Sequence, residues 1–253
     1  MEITESAWVK YINSLRLVND KAAELIKNFL EKHGIPISRE QMNALIDYAY
    51  GVAVTYGEAA ATLAAEMYDA IAALSGVAIE PAVPAPPVEI SDVAKAVVGT
   101  SKTGNEEIIS SAIGRIVKQT GVDTTLYNGI RDGVEWAWIP HGDTCAFCIA
   151  LAANGWQRAS KKALKNGHAE HIHANCDCTY AIRFNGDTKY AGYNPDVYRD
   201  MYDDADGRSP KEKINSMRRD FYAENSERIN AQKRDNYEKR KERESSAAEE
   251  LDV

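Results

Sequence analysis

Apolar residues in the first third of the chain recur at three- and four-residue steps. Between residues 4 and 33 the pattern is carried by Trp8, Tyr11, Ile12, Leu15, Leu25, Ile26, Phe29 and Leu30. That period predicts an amphipathic helix, and Gly34 with Pro36 supplies its stop. Ser38 and Gln41 have the spacing of a capping box. Behind them an alanine-rich run to Leu74 keeps a helical period through Leu45, Tyr48, Ala49, Val52, Tyr56, Leu63, Met67 and Ile71. Residues 1–76 are therefore expected to form a helical hairpin. Gly51 and Gly57 each weaken its second helix by up to about 1 kcal/mol relative to Ala, which predicts a kink or break there.

Periodicity disappears over residues 77–90, where Pro81, Pro84, Pro86 and Pro87 fall. This composition predicts a semi-rigid, extended linker between two domains. A short helix capped by Ser91 is expected to run to Val98. Another, capped by Asn105, is expected to run to Val117 with Gly121 as its stop, and a third from Thr125 to Arg131. Residues 134–139 then alternate as a strand does, with Pro140 and Gly142 punctuating the end, and residues 179–184 look like a second short strand. The predicted class is α+β, mainly α.

From Pro210 to the end, eleven Lys or Arg stand against eleven Asp or Glu, with few apolar residues between them. Such a segment buries too little surface to offset its ordering entropy, so residues 206–253 are expected to be a charged, solvated helix or a disordered tail.

The chain has 253 residues, 44% hydrophobic and 27% charged, with a net charge of −8. This is enough material for a core, in ordinary soluble proportions. The acidic total argues against a surface that wraps a polyphosphate. No apolar run approaches the roughly 20 residues that span a bilayer, and the acidic N-terminus lacks the basic-then-apolar order of a secretory signal. The expectation is a protein folded in a reducing cytoplasm, with no membrane partner.

All four cysteines and three of the five histidines fall between residues 145 and 178. Cys145-x-x-Cys148 is followed, after a gap of twenty-seven residues, by Cys176-x-Cys178, with His173 three residues ahead of Cys176. In a reducing compartment clustered thiols point to a metal rather than to disulfides. Two short-range chelating pairs brought together from distant parts of the chain suit the closed tetrahedron that a structural zinc ion prefers. The candidate ligands are Cys145, Cys148, His173, Cys176 and Cys178, and which four of the five bind is left open. Polar and basic residues 155–170, with Lys161, Lys162 and Lys165, make a poor core by themselves, so metal binding there is also folding energy. His141 and His168 are read as surface residues, and His171 is given no role.

Two zinc-hydrolase readings compete. His168, Ala169 and Glu170 beside a Cys-x-x-Cys resemble the elements of a nucleobase deaminase. In that pattern, however, the histidine and glutamate precede the cysteines and a proline stands before the first one, where this chain has Thr144. Four protein ligands would also leave no open position for water. A ββα-metal nuclease would use His171, His173 and Asn175, but the helix it requires after a hairpin is not visible.

Taken together, Asp143, Thr144, Cys145 and Cys148, then His173, Asn175, Cys176 and Cys178, resemble the signature of phage Mu F-like minor head proteins. Ala174 and Asp177 stand where that family commonly has proline and arginine. The variant with Ala146 and Phe147 between the first cysteines, and with Gly192, Tyr193, Asn194, Pro195 and Asp196 downstream, looks most like head proteins of phages that infect Gram-positive bacteria.

The resemblance covers about residues 105–205. It implies a Mu F-like domain over 91–205, with its metal module at 134–184. It also implies a non-enzymatic virion component that assembles in the host cytoplasm and lies inside the head near the portal. The implied partners are the portal protein or the inner face of the major capsid protein, with a weak contact between the charged tail and packaged double-stranded DNA. No nucleophile elbow or phosphate-cradling loop is present to add an enzyme to it.

Overall fold

A computed structural model describes residues 2–141, 144–160 and 178–251. Among these, β1 (Glu2–Ile3) leads into α1 (Glu5–His33) and α2 (Arg39–Leu74), followed by α3 (Ile90–Ser101) and α4 (Glu106–Asp132). Then come β2 (Glu135–Ile139), α5 (Ala146–Ala152), β3 (Gln157–Arg158), β4 (Thr179–Arg183) and β5 (Lys189–Tyr190). The chain closes with α6 (Pro195–Asp203) and α7 (Pro210–Leu251). The described residues are thus mainly helical with a few short strands.

The predicted caps explain where the first helices begin and end. Thr4 Oγ1 accepts the Ala7 N–H at 3.3 Å, and Gly34, at φ 74°, closes α1 by donating its N–H to the Leu30 carbonyl. Ser38 and Gln41 form the reciprocal capping box of α2, each side chain bonding the other's backbone N–H at 3.2 Å. Near the loop joining the two helices, Phe29 stacks on Tyr48 with ring centroids 4.6 Å apart. At the far end Trp8 and Tyr11 meet Met67, Tyr68 and Ile71 around one cavity. Contacts at both ends in this order make α1 and α2 an antiparallel hairpin.

The third long helix, α4, packs against both. Its first half contributes Ile109, Ile113, Ile116 and Val117 to a core shared with Ile26, Leu30, Leu45 and Val93. Its second half contributes Val122 and Leu126 to a core shared with Trp8, Tyr68 and the sheet. The expected stop at Gly121 does not occur, and α4 is continuous through it. A Cβ there would lie 3.2 Å from the Ala60 carbonyl oxygen of α2, so the glycine serves close helix–helix approach rather than termination. Gly57 plays the matching part on α2, where a Cβ would meet Thr120 Oγ1 at 3.2 Å, and α2 runs unbroken past Gly51 and Gly57. The alanine-rich face of α2 fits the same close contact. α3 begins at Ile90, one residue before the expected cap, and no side chain caps it.

Residues 77–89 have neither helix nor strand after the turn that ends α2, and they lie along α4. The Ala82 N–H donates to Asp69 Oδ1, Val83 exchanges two bonds with the Asn128 side chain, and the Ala85 N–H donates to Thr124 Oγ1, all at 2.8–2.9 Å. Arg131 reaches the carbonyls of Glu80 and Pro81 and pairs with Asp132, which also accepts the Tyr68 hydroxyl. The Arg131 bonds hold the Asp132 carboxyl below its usual range, with Tyr68 adding to the effect. The proline-rich stretch separates two parts of the sequence, while helices from both sides of it share each core.

β2 is the middle strand of a three-stranded antiparallel sheet, in the order β3, β2, β4. Its register sets Trp138 opposite Tyr180 and Ile139 opposite Thr179. β1 and β5 form a separate parallel pair, with Glu2 beside Lys189 and Ile3 beside Tyr190, and this ties the N-terminal strand to the segment after the sheet. The charged tail is helical as α7, and among its described side chains Ser216 is buried while residues 218–224 are exposed. No helix among the described residues is long and apolar enough to cross a membrane.

Candidate functional site

Three of the cysteines lie at the first turn of α5 and just before β4. Cys145 and Cys148 do not flank a free turn. Cys145 is the N-cap residue of α5 and Cys148 sits in its first turn, a three-residue spacing that puts both on one side of the helix start. Cys178 directly precedes β4, whose Thr179 lies across from Ile139. Cys148 and Cys178 are 1% and 0% exposed and belong to the same apolar core, and half-buried Cys145 packs against it. No disulfide links Cys145, Cys148 and Cys178 to one another.

Cys178 meets the backbone of His141 through both a donor and an acceptor. The backbone N–H of His141 donates to Cys178 Sγ at 3.5 Å, and the His141 carbonyl lies 3.9 Å from the same sulfur, on the side that would accept a thiol proton. His141, read from sequence as a surface residue, is half-buried and meets this site through its backbone; the signal was its place just beyond the last residue of β2. Two phenols also adjoin the thiols. Burial, then the neighbouring Cys148 sulfur, push the Tyr180 hydroxyl well above the ordinary phenol range, and burial, then Cys178, raise Tyr198. Neither tyrosine stands out in the sequence as part of the site, since each takes its place only through strand register or helix docking.

The arm after β5 covers this region. The Tyr193 hydroxyl donates to the Ala152 carbonyl at the end of α5, while α6 and the start of α7 pack on α5. Arg183 lies 4.6 Å from the Trp156 ring and bonds Glu135 at 2.7 Å, closing the opposite edge of the sheet.

His173 and Cys176 lie outside the described residues, as do Asp143, Asn175, His168 and His171. Among the described residues no group of three His, Cys, Asp or Glu side chains stands ready to hold a metal ion. Cys148 and Cys178, from two separated stretches, lie in one buried core, and a backbone N–H serves Cys178.

No curated protein and no solved structure matches the chain. The VG15 protein family matches residues 2–205, a span that takes in the N-terminal hairpin, the proline-rich segment and the sheet with its cysteines, and stops before α7. The match reaches well beyond the stretch of about 105–205 that carries the sequence signature. With most of its length matched, the chain belongs to the VG15 protein family, a family of phage proteins.

Proposed function

We propose that this phage protein is a minor head protein of the Mu F-like kind, located inside the head near the portal, and that a structural zinc ion locks its sheet to α5. Four of Cys145, Cys148, His173, Cys176 and Cys178 hold the ion. The observation that carries the reading is the joined thiol pattern: Cys145, Cys148 and Cys178 meet one buried core although twenty-nine residues of sequence lie between the last two. Zinc, when bound, supplies a closed cross-link and no reactive position, because four protein ligands leave no site for water. The chain's own residues do the rest. The His141 N–H orients Cys178, α5 presents Cys145 and Cys148 together, and α6 and α7 exclude solvent from their back face.

The partners that fit are the portal protein and the inner face of the major capsid protein. Contact between α7 and packaged DNA would be weak and salt-sensitive, because the eleven cations from Pro210 onward are balanced by eleven anions.

Two measurements test the proposal. Purified phage particles, analysed by mass spectrometry, should contain this chain, and its confinement to host cytosol would overturn the virion assignment. Elemental analysis of reduced native protein should find about one zinc per chain. Cys178→Ser should lower both metal content and melting temperature. Metal-free protein that melts like the wild type would remove the zinc site.

A further inference from the structure

An asparagine followed by glycine is open to attack by the backbone on its own side chain, because glycine has no Cβ to hinder its nitrogen or restrict its dihedral angles. Four such pairs occur in the chain, and three lie among the described residues, at Asn128, Asn154 and Asn185. The fold treats them differently. Asn128 is buried within α4, where its side chain exchanges two bonds with Val83 and donates to the Thr124 carbonyl. Asn154 follows α5 and is exposed, but the Gly155 N–H donates to the Ala152 carbonyl at 3.0 Å, which commits the attacking nitrogen.

Asn185 opens the turn between β4 and β5, and both it and Gly186 are exposed. The Thr188 N–H closes this turn on the Asn185 carbonyl at 3.3 Å. Two further donors converge on the side-chain amide: the Asp187 N–H and the Thr188 hydroxyl each lie 3.2 Å from Asn185 Oδ1. The Gly186 N–H makes no hydrogen bond to the described residues, and a Cβ at Gly186 would meet nothing within 4 Å. Donors placed on a carbonyl oxygen stabilise the negative charge it gains when its carbon is attacked.

We propose that Asn185 is a site of spontaneous deamidation through a succinimide. The Gly186 nitrogen loses its proton to hydroxide and attacks Asn185 Cγ, while the Asp187 N–H and the Thr188 hydroxyl hold the anion that forms on Oδ1. The Cγ–Nδ2 bond then breaks, and Nδ2 takes a proton from water and leaves as ammonia. A second water molecule opens the ring at either carbonyl, giving aspartate or isoaspartate. Both products add a negative charge. Isoaspartate also lengthens the backbone of the turn that leads into β5, the strand paired with β1.

The full chain, held warm at mildly alkaline pH and then mapped by peptide mass spectrometry, tests this. The mass gain of amide-to-acid conversion should build up at Asn185 about tenfold faster than at Asn154. In urea that preference should vanish, because both sites are then the same dipeptide in an open chain. Equal conversion of the two in the folded protein, or a preference that persists unchanged in urea, overturns the proposal. Thr188→Val removes one donor and should slow conversion several-fold, with Thr188→Ser restoring it. A folded Thr188→Val chain that converts at the wild-type rate would also overturn it.

Discussion

Asp123 shows how burial sets the behaviour of one residue. It sits on α4 with the Gln119 amide donating to it at 2.8 Å, and desolvation outweighs that bond to push its carboxyl up to about 6. A folded-state value above the unfolded one, near 4, means the protein holds this proton more tightly when folded. The stabilising contribution is complete below about pH 4 and is lost as pH rises through about 6. Asp123→Asn keeps an acceptor for Gln119 and removes the charge, so it should stabilise the protein by about 1 kcal/mol at pH 8. Urea unfolding at pH 8 and again below pH 4 checks this, because the gain should vanish in acid. Nothing in the sequence around Asp123 announces the effect, since an aspartate on a helix is ordinarily solvated and only the packing of α4 against its neighbours buries it. Cys148 and Cys178 are the opposite case: their spacing alone marked them as candidates before any contact was known.

At the level of elements, the glycines divide sequence from structure most clearly. Gly51 and Gly121 look alike as helix weakeners, yet a Cβ at Gly51 would meet nothing within 4 Å whereas one at Gly121 would press on the Ala60 carbonyl at 3.2 Å. Gly51→Ala should therefore stabilise α2 by up to about 1 kcal/mol. Gly121→Ala should instead cost about 1–3 kcal/mol through overpacking. Thermal unfolding of the pair decides it, and a stabilising Gly121→Ala would mean that α2 and α4 do not approach as described. The capping signals of α1 and α2 and the alternation of β2 and β4 were legible because each depends on residues a few positions apart. The merging of two expected helices into α4 was not, because a glycine that stops a helix and one that admits a neighbour read the same in one dimension.

For the whole molecule, the tie between the chain's beginning and its later part matters most. Ile3 is buried beside Tyr190 through the β1–β5 pairing, the Ala191 N–H donates to the Ile3 carbonyl at 3.1 Å, and Trp8 packs edge-on against Tyr190. Deleting residues 1–4 removes the burial of Ile3 and the Thr4 cap, at a cost of about 3 kcal/mol. Calorimetry should show one lowered transition if the helical layer and the sheet unfold together. Loss of stability confined to a small helical transition would count against the shared core. The sequence by itself determined the helical hairpin, the two main strands, the charged, apolar-poor composition of the tail and the residue types of the candidate metal site, because period, capping and chelate spacing are local properties. Only the tertiary structure decided that the proline-rich stretch lies bonded along α4, that Cys178 sits under the His141 backbone, and that β1 closes on β5. Those arrangements depend on surfaces far apart in the chain, and burial and hydrogen bonding select among the ways of bringing them together.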